Sequence, residues 1–162
     1  MVIRDEIKKL LSVIKVGEIT PTFLADHPIV ALEELKLIAN TENAGKPFIL
    51  LLLDIDQSRQ GAFITANLNF VIGAVTRKEY STDERYANNF NPLIYPIYEQ
   101  LIECFKNGNS VILGNQNLSV KDPDRVLWGK KGLYGNVGNI FNDYIDAKEV
   151  NDLEIKLKIK NC

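Results

Sequence analysis

At 162 residues, with 46% apolar and 25% charged residues, the chain has the size and make-up of one globular domain, 1–162, with its own core. A formal charge of -2 gives no global argument for nucleic-acid binding, where a dedicated binder shows a strongly basic face. Cys104, in an apolar stripe, and Cys162, the last residue, make no disulfide framework and read as reduced thiols. No apolar run reaches the roughly 20 residues that span a bilayer. The start, with Arg4, Asp5 and Glu6, lacks the apolar core of a signal peptide, so the expectation is a chain made in a cytosol.

Ile3, Ile7, Leu10, Leu11 and Ile14 recur at helical spacing and predict an amphipathic helix over 3–15, stopped by Gly17. Residues 18–25 read as an extended piece, and Pro21 within it points to a sheet edge. Asp26-His27-Pro28 has the form of a helix start, with Asp26 as cap and Pro28 in the first turn, running to about residue 39. Residues 40–46 are a polar loop. The apolar run from Pro47 to Asp54 predicts a central strand covered on both faces. Residues 55–63 read as a long polar loop, and 64–75 as a long strand paired antiparallel with the one before.

Ser81-Thr82-Asp83-Glu84 has capping-box spacing and predicts a short helical turn through Asn89. The strongest helix follows, capped by Asn91, with Leu93, Ile94, Ile97, Tyr98, Leu101, Ile102 and Phe105 on its apolar face and Asn107-Gly108 at its end. Pro96 predicts a kink or a delayed start. A short strand at 110–113, a turn-rich stretch, a Gly-rich aromatic loop (the whole loop being 114–139) and a half-buried strand from Leu153 complete the chain. The pattern predicts an α+β two-layer sandwich: a mostly antiparallel sheet of about four or five strands, two main helices and an N-terminal helix.

The chemistry-bearing residues are sparse. His27 is explained by the helix entry, and one histidine with two distant cysteines has no zinc-site spacing. Asp54 and Asp56, at a strand end, are the best enzyme-like feature, because hard cations take oxygen ligands. They lack a nearby third carboxylate, assisting lysine or phosphate loop, so the strand-end reading is preferred. Gly132, Gly135 and Gly138 lack the Lys-Ser/Thr of a phosphate loop. No nucleophile stands beside a base. The expectation is a non-enzyme without metal or cofactor. Trp128 and Tyr134 carry two readings: Trp128 plugs the sheet, or Arg125, Trp128, Lys130, Lys131 and Tyr134 form a contact surface, for a neighbouring subunit or for a ligand.

Five pieces in order carry a resemblance: Asp26-His27-Pro28; the Pro47–Asp54 strand; the strand ending Ala74-Val75-Thr76; Glu84-Arg85-Tyr86 running to Tyr95-Pro96-Ile97-Tyr98; and the Trp128 loop leading into Asp143-Tyr144-Ile145-Asp146-Ala147. Together they resemble the small neck and tail-completion (tail-terminator-like) proteins of tailed bacteriophages, especially those infecting Bacteroidetes hosts. The resemblance implies a virion structural protein without catalytic residues. It also implies a six- or twelve-fold homo-oligomeric ring touching connector, neck or tail proteins, and leaves open a lumen that passes DNA without specific binding and without any membrane contact. A closed ring needs two different patches on each subunit, and loops 55–63 and 114–139 are the expected material for them.

Overall fold

The computed structural model describes residues 2–27, 30, 33–34, 46–128 and 144–159. Helix α1 (Ile3–Leu11) buries Ile7, Leu10 and Leu11. It ends earlier than the periodicity predicts because Ser12 closes a tight last turn: its N–H and its hydroxyl both donate to the Lys9 carbonyl. Gly17 then reverses the chain at φ 59° between bridged Val16 and Ile19. Strand β1 (Thr22–Asp26) is half-buried and lies at the sheet edge, as Pro21 suggested. Asp26 ends this strand, and its carboxylate accepts from the His27 N–H. Val30, Glu33 and Glu34 are helical; the remainder of the helix expected to follow lies outside the described residues.

Strand β2 (Phe48–Leu52) is buried throughout and runs parallel to β1. The stretch expected to be a loop is instead strand β3 (Asp56–Gln60), joined to strand β4 (Phe63–Thr76). Gly61, at φ 59°, opens the two-residue Gly61-Ala62 turn, the Gly-X arrangement that suits a tight hairpin. Periodicity could not find β3, because all five of its residues are exposed and no apolar alternation marks a buried face. Both β2 and β3 pair antiparallel with β4, one after the other along the same side.

The capping box at Ser81 and Glu84 forms as expected and starts α2 (Thr82–Arg85). No second helix start follows. The chain continues through a π-helical segment (Tyr86–Ile94) into α3 (Tyr95–Asn107), so Asn91 is not a cap. Pro92 lies within the π segment and Pro96 at the first turn of α3. A proline ring collides with the carbonyl four residues earlier, and the wider i→i+5 winding relieves that collision without breaking the rod. Gly108 ends α3 at φ 65°, where a side chain would strike the Gly114 backbone and the Ile112 carbonyl.

Two short strands, β5 (Ile112–Leu113) and β6 (Asp124–Arg125), and the long β7 (Tyr144–Lys158) follow. Strand β7 begins well before Leu153 and pairs antiparallel with β4 along its length, with β5 and β6 on its other side. The described residues thus form a mixed α/β fold with a curled, half-barrel sheet of seven strands, not four or five, ordered β1-β2-β4-β7-β5.

Alternate strand residues supply two cores. Ile49, Leu51, Leu68, Phe70 and Ile72 pack with α1 and with Phe90, Ile94, Ile97, Leu101 and Phe105 of the long helix. Phe48, Leu50, Val71, Ile145 and Ala147 pack in a second cluster with Trp128. Among the described residues, no helix is long and apolar enough to cross a membrane.

Candidate functional site

Where the long helix lies on the β6–β7 side of the sheet, the packing is polar. Arg85 and Asp146 are 3% and 0% exposed and meet at 3.1 Å. The same Arg85 nitrogen donates to Thr76 Oγ1 at 3.2 Å, and its other terminal nitrogen donates to the Arg77 and Lys78 carbonyls. Asn89, one turn along, donates to both Thr76 Oγ1 and Asp146 Oδ2. The Leu127 N–H donates to Asp146 Oδ1. One carboxylate on β7 therefore ties together the helix, the end of β4 and the chain just before Trp128. A buried ion pair offsets its desolvation only when its remaining donors and acceptors are satisfied, and here both terminal nitrogens of Arg85 and both Asp146 oxygens have partners.

Beside it lies a second cluster, nearer the surface. Tyr86 and Tyr95 both donate to Asp124 Oδ2, at 3.0 and 2.6 Å, and Tyr98 donates to Asp122 Oδ2. Lys148, directly across from Asp124 in the β6–β7 ladder, donates to Asp124 Oδ1 and to the Asp122 carbonyl. Its ammonium also sits over the Tyr95 and Tyr98 rings, 5.5 and 4.9 Å from their centroids.

The π segment makes this arrangement. In an α-helix at 3.6 residues per turn, Tyr86 and Tyr95 would stand on opposite faces. With i→i+5 winding of about 4.4 residues per turn, nine residues make about two turns and bring both phenols to one carboxylate. Burial and the hydrogen bonds to Asp124 push the Tyr86 and Tyr95 phenols above their usual range, and burial with the Asp122 hydrogen bond does the same for Tyr98. Burial pushes Asp124 upward, but hydrogen bonds from Tyr95, Lys148 and Tyr86 outweigh it and hold the carboxyl below its ordinary value.

The residues singled out from sequence are not gathered in one place. Arg125 is exposed and pairs with Glu149 at 3.4 Å. Trp128 is 2% exposed and packs on the sheet with Phe48, Leu50 and Ile145, so of its two readings the geometry has the plug; a side chain inside the core does not project as a contact anchor. Its indole nitrogen is buried without a hydrogen-bond partner among the described residues. Lys130, Lys131, Tyr134 and the glycines of that loop lie outside the described residues. Asp54 and Asp56 are both exposed, and the described residues hold no group of three His, Cys, Asp or Glu side chains placed to bind a metal.

Sequence reading missed the two polar clusters. The only signal was charge where the sheet alternation calls for apolar residues: Asp146 and Lys148 fall in phase with the buried Val150. A comparison of the chain with known protein families, curated proteins and solved structures finds no match.

Two outcomes are expected. Asp146→Asn leaves the Arg85 charge buried without its counter-ion and lowers the unfolding free energy in urea by about 3–5 kcal/mol. The second concerns acid. Because the folded Asp124 carboxyl ionises below its ordinary value of 3.8, its contribution is fully present above that value and is lost as pH falls through the lower, folded one. The stability gap between wild type and Asp124→Asn, measured from neutral pH downward, stays level at first and narrows below about pH 3.8; a gap independent of pH would contradict the hydrogen-bond geometry.

Proposed function

We propose that this chain is a structural protein that works by assembly: a two-layer α+β subunit of a homo-oligomeric ring in the neck or tail of a tailed phage, joining connector and tail components. The observation that carries the assembly reading is the β3–β4 hairpin. Strand β3 is exposed in every residue and, among the described residues, pairs only with β4, so its other edge is open there. The same stretch of β4 pairs with β7 on its other side, so β3 forms the outer edge of the sheet there, and an open edge is a surface another chain can use.

The polar clusters support the same reading from the other side. Among the described residues, Arg85, Asp146, Asp124 and Lys148 are buried or half-buried charges of the kind a catalytic site draws on, and each is engaged by partners that join helix to sheet or β6 to β7. The phage assignment itself comes from the sequence resemblance, spread over the segments from Asp26 to Ala147. The virion is then where the protein acts, after synthesis in the host cytoplasm.

Purified protein, alone or mixed with candidate connector and tail partners, is expected to give closed rings in negative-stain electron microscopy. A monomer that persists at high concentration and binds no neck or tail component would contradict the proposal. The metal-dependent alternative at Asp54 and Asp56 is checked in the same preparation: a rise in melting temperature with Mg²⁺, Mn²⁺ or Ca²⁺ would favour it, because a ligand of the folded state stabilises that state.

A further inference from the structure

The open edge of β3 has a definite chemistry. In a two-residue hairpin the closing pair, here Gln60 and Phe63, is hydrogen-bonded, and bonded and non-bonded pairs alternate from there. Asp56, Ser58 and Gln60 therefore turn their main-chain groups toward β4, while Gln57 and Arg59 turn theirs away. No described strand receives them. Strand β1 pairs with β2 and stops at Asp26, opposite Leu52, so the position beside β3 and in line with β1 is empty of described chain. Strand β3 holds no proline, no lysine and no bulge, and its two charges, Asp56 and Arg59, are of opposite sign.

We propose that this edge pairs with the same edge of a second copy: two β3 strands antiparallel about a two-fold axis, with Ser58 facing Ser58. This register places Gln57 opposite Arg59 of the second copy and Arg59 opposite its Gln57, so both outward-facing residues of each strand are used and about four main-chain hydrogen bonds form. Shifting by one step in either direction leaves one such pair within β3, and one of those shifts sets Arg59 against Arg59. In the Ser58-centred register no like charges stand directly opposite. The Gln57 side-chain carbonyl can accept from the guanidinium across from it, and Asp56 faces the Gln60 amide. One acid and one base make the edge neutral, so two copies approach without net repulsion.

The contact is small and therefore weak by itself, well below the roughly 800 Å² per partner of a stable dimer. It also stands apart from ring closure, which a two-fold contact cannot provide. In a ring-forming protein it would join two rings back to back, turning a six-fold ring into a twelve-subunit particle.

The test is register-specific cross-linking of the full chain with Cys104 and Cys162 replaced by serine. Facing residues of a non-bonded antiparallel pair have Cα atoms about 4.5 Å apart, within disulfide reach. Under mild oxidation Ser58→Cys is expected to form a covalent dimer at least tenfold faster than Asp56→Cys, whose two copies would lie four positions apart. Adding Gln57→Pro removes an outward donor without touching the β4 ladder and is expected to slow the Ser58→Cys reaction to the Asp56→Cys rate. Equal rates for the two cysteine variants, or a Ser58→Cys rate that Gln57→Pro leaves unchanged, would overturn the inference. Rings without Ser58 cross-links would remove this inference and keep the proposed function; cross-links without rings would do the reverse.

Discussion

The Asp146 carboxylate fixes this molecule at its centre. Strand β7 presents it, with no exposure, to Arg85 and Asn89 of the long helix, to the Leu127 amide, and through them to Thr76 at the end of β4. An unpaired charge there would cost several kcal/mol, so helix, sheet and the chain entering Trp128 must be in place together. Apolar packing alone would tolerate the helix in several rotations. A bidentate network with four partners does not, and it selects one rotation and one depth for the helix.

That rotation has a second consequence, which depends on two prolines. Pro92 and Pro96 are poorly tolerated in a regular α-helix, and the chain answers with nine residues of π winding. The wider turn carries Tyr86 round to the side of Tyr95, so that both phenols reach Asp124, while Tyr98 reaches Asp122. Lys148 closes the cluster beneath the two rings. The 121–125 segment is held to β7 by its backbone bonds to Ala147–Asn151, and this set of contacts adds the long helix. A backbone irregularity that looks like a defect thus helps to fasten the 121–128 segment to the body of the protein.

Much of the frame is legible in the sequence. The apolar run at Phe48–Leu52, the alternation of β4, the Ser81 capping box and the Gly108 stop each have a local cause, and each appears where that cause puts it. What was not legible has a common reason. Strand β3 has no apolar alternation because all five of its residues are exposed, and the π segment carries the residues of an ordinary amphipathic helix interrupted by prolines. The Asp146 and Lys148 sites depend on partners 61 positions away and 24 positions away, and no local pattern encodes such distances. Trp128 looked equally suited to core and to surface, and only the apolar cluster of Phe48, Leu50 and Ile145 decides between them.

Among the described residues, the buried charges of the helix-to-sheet packing are matched within the chain, while the outer edge of β3 is left open. That contrast is the basis for reading the protein as a component of an assembly. Hydrogen–deuterium exchange across a concentration series tests it most directly. The account predicts that the Gln57 and Arg59 amides exchange quickly in dilute protein and slow as the concentration rises, with the β4–β7 core unchanged. Exchange at β3 that is the same at every concentration, with or without added neck and tail components, would contradict it.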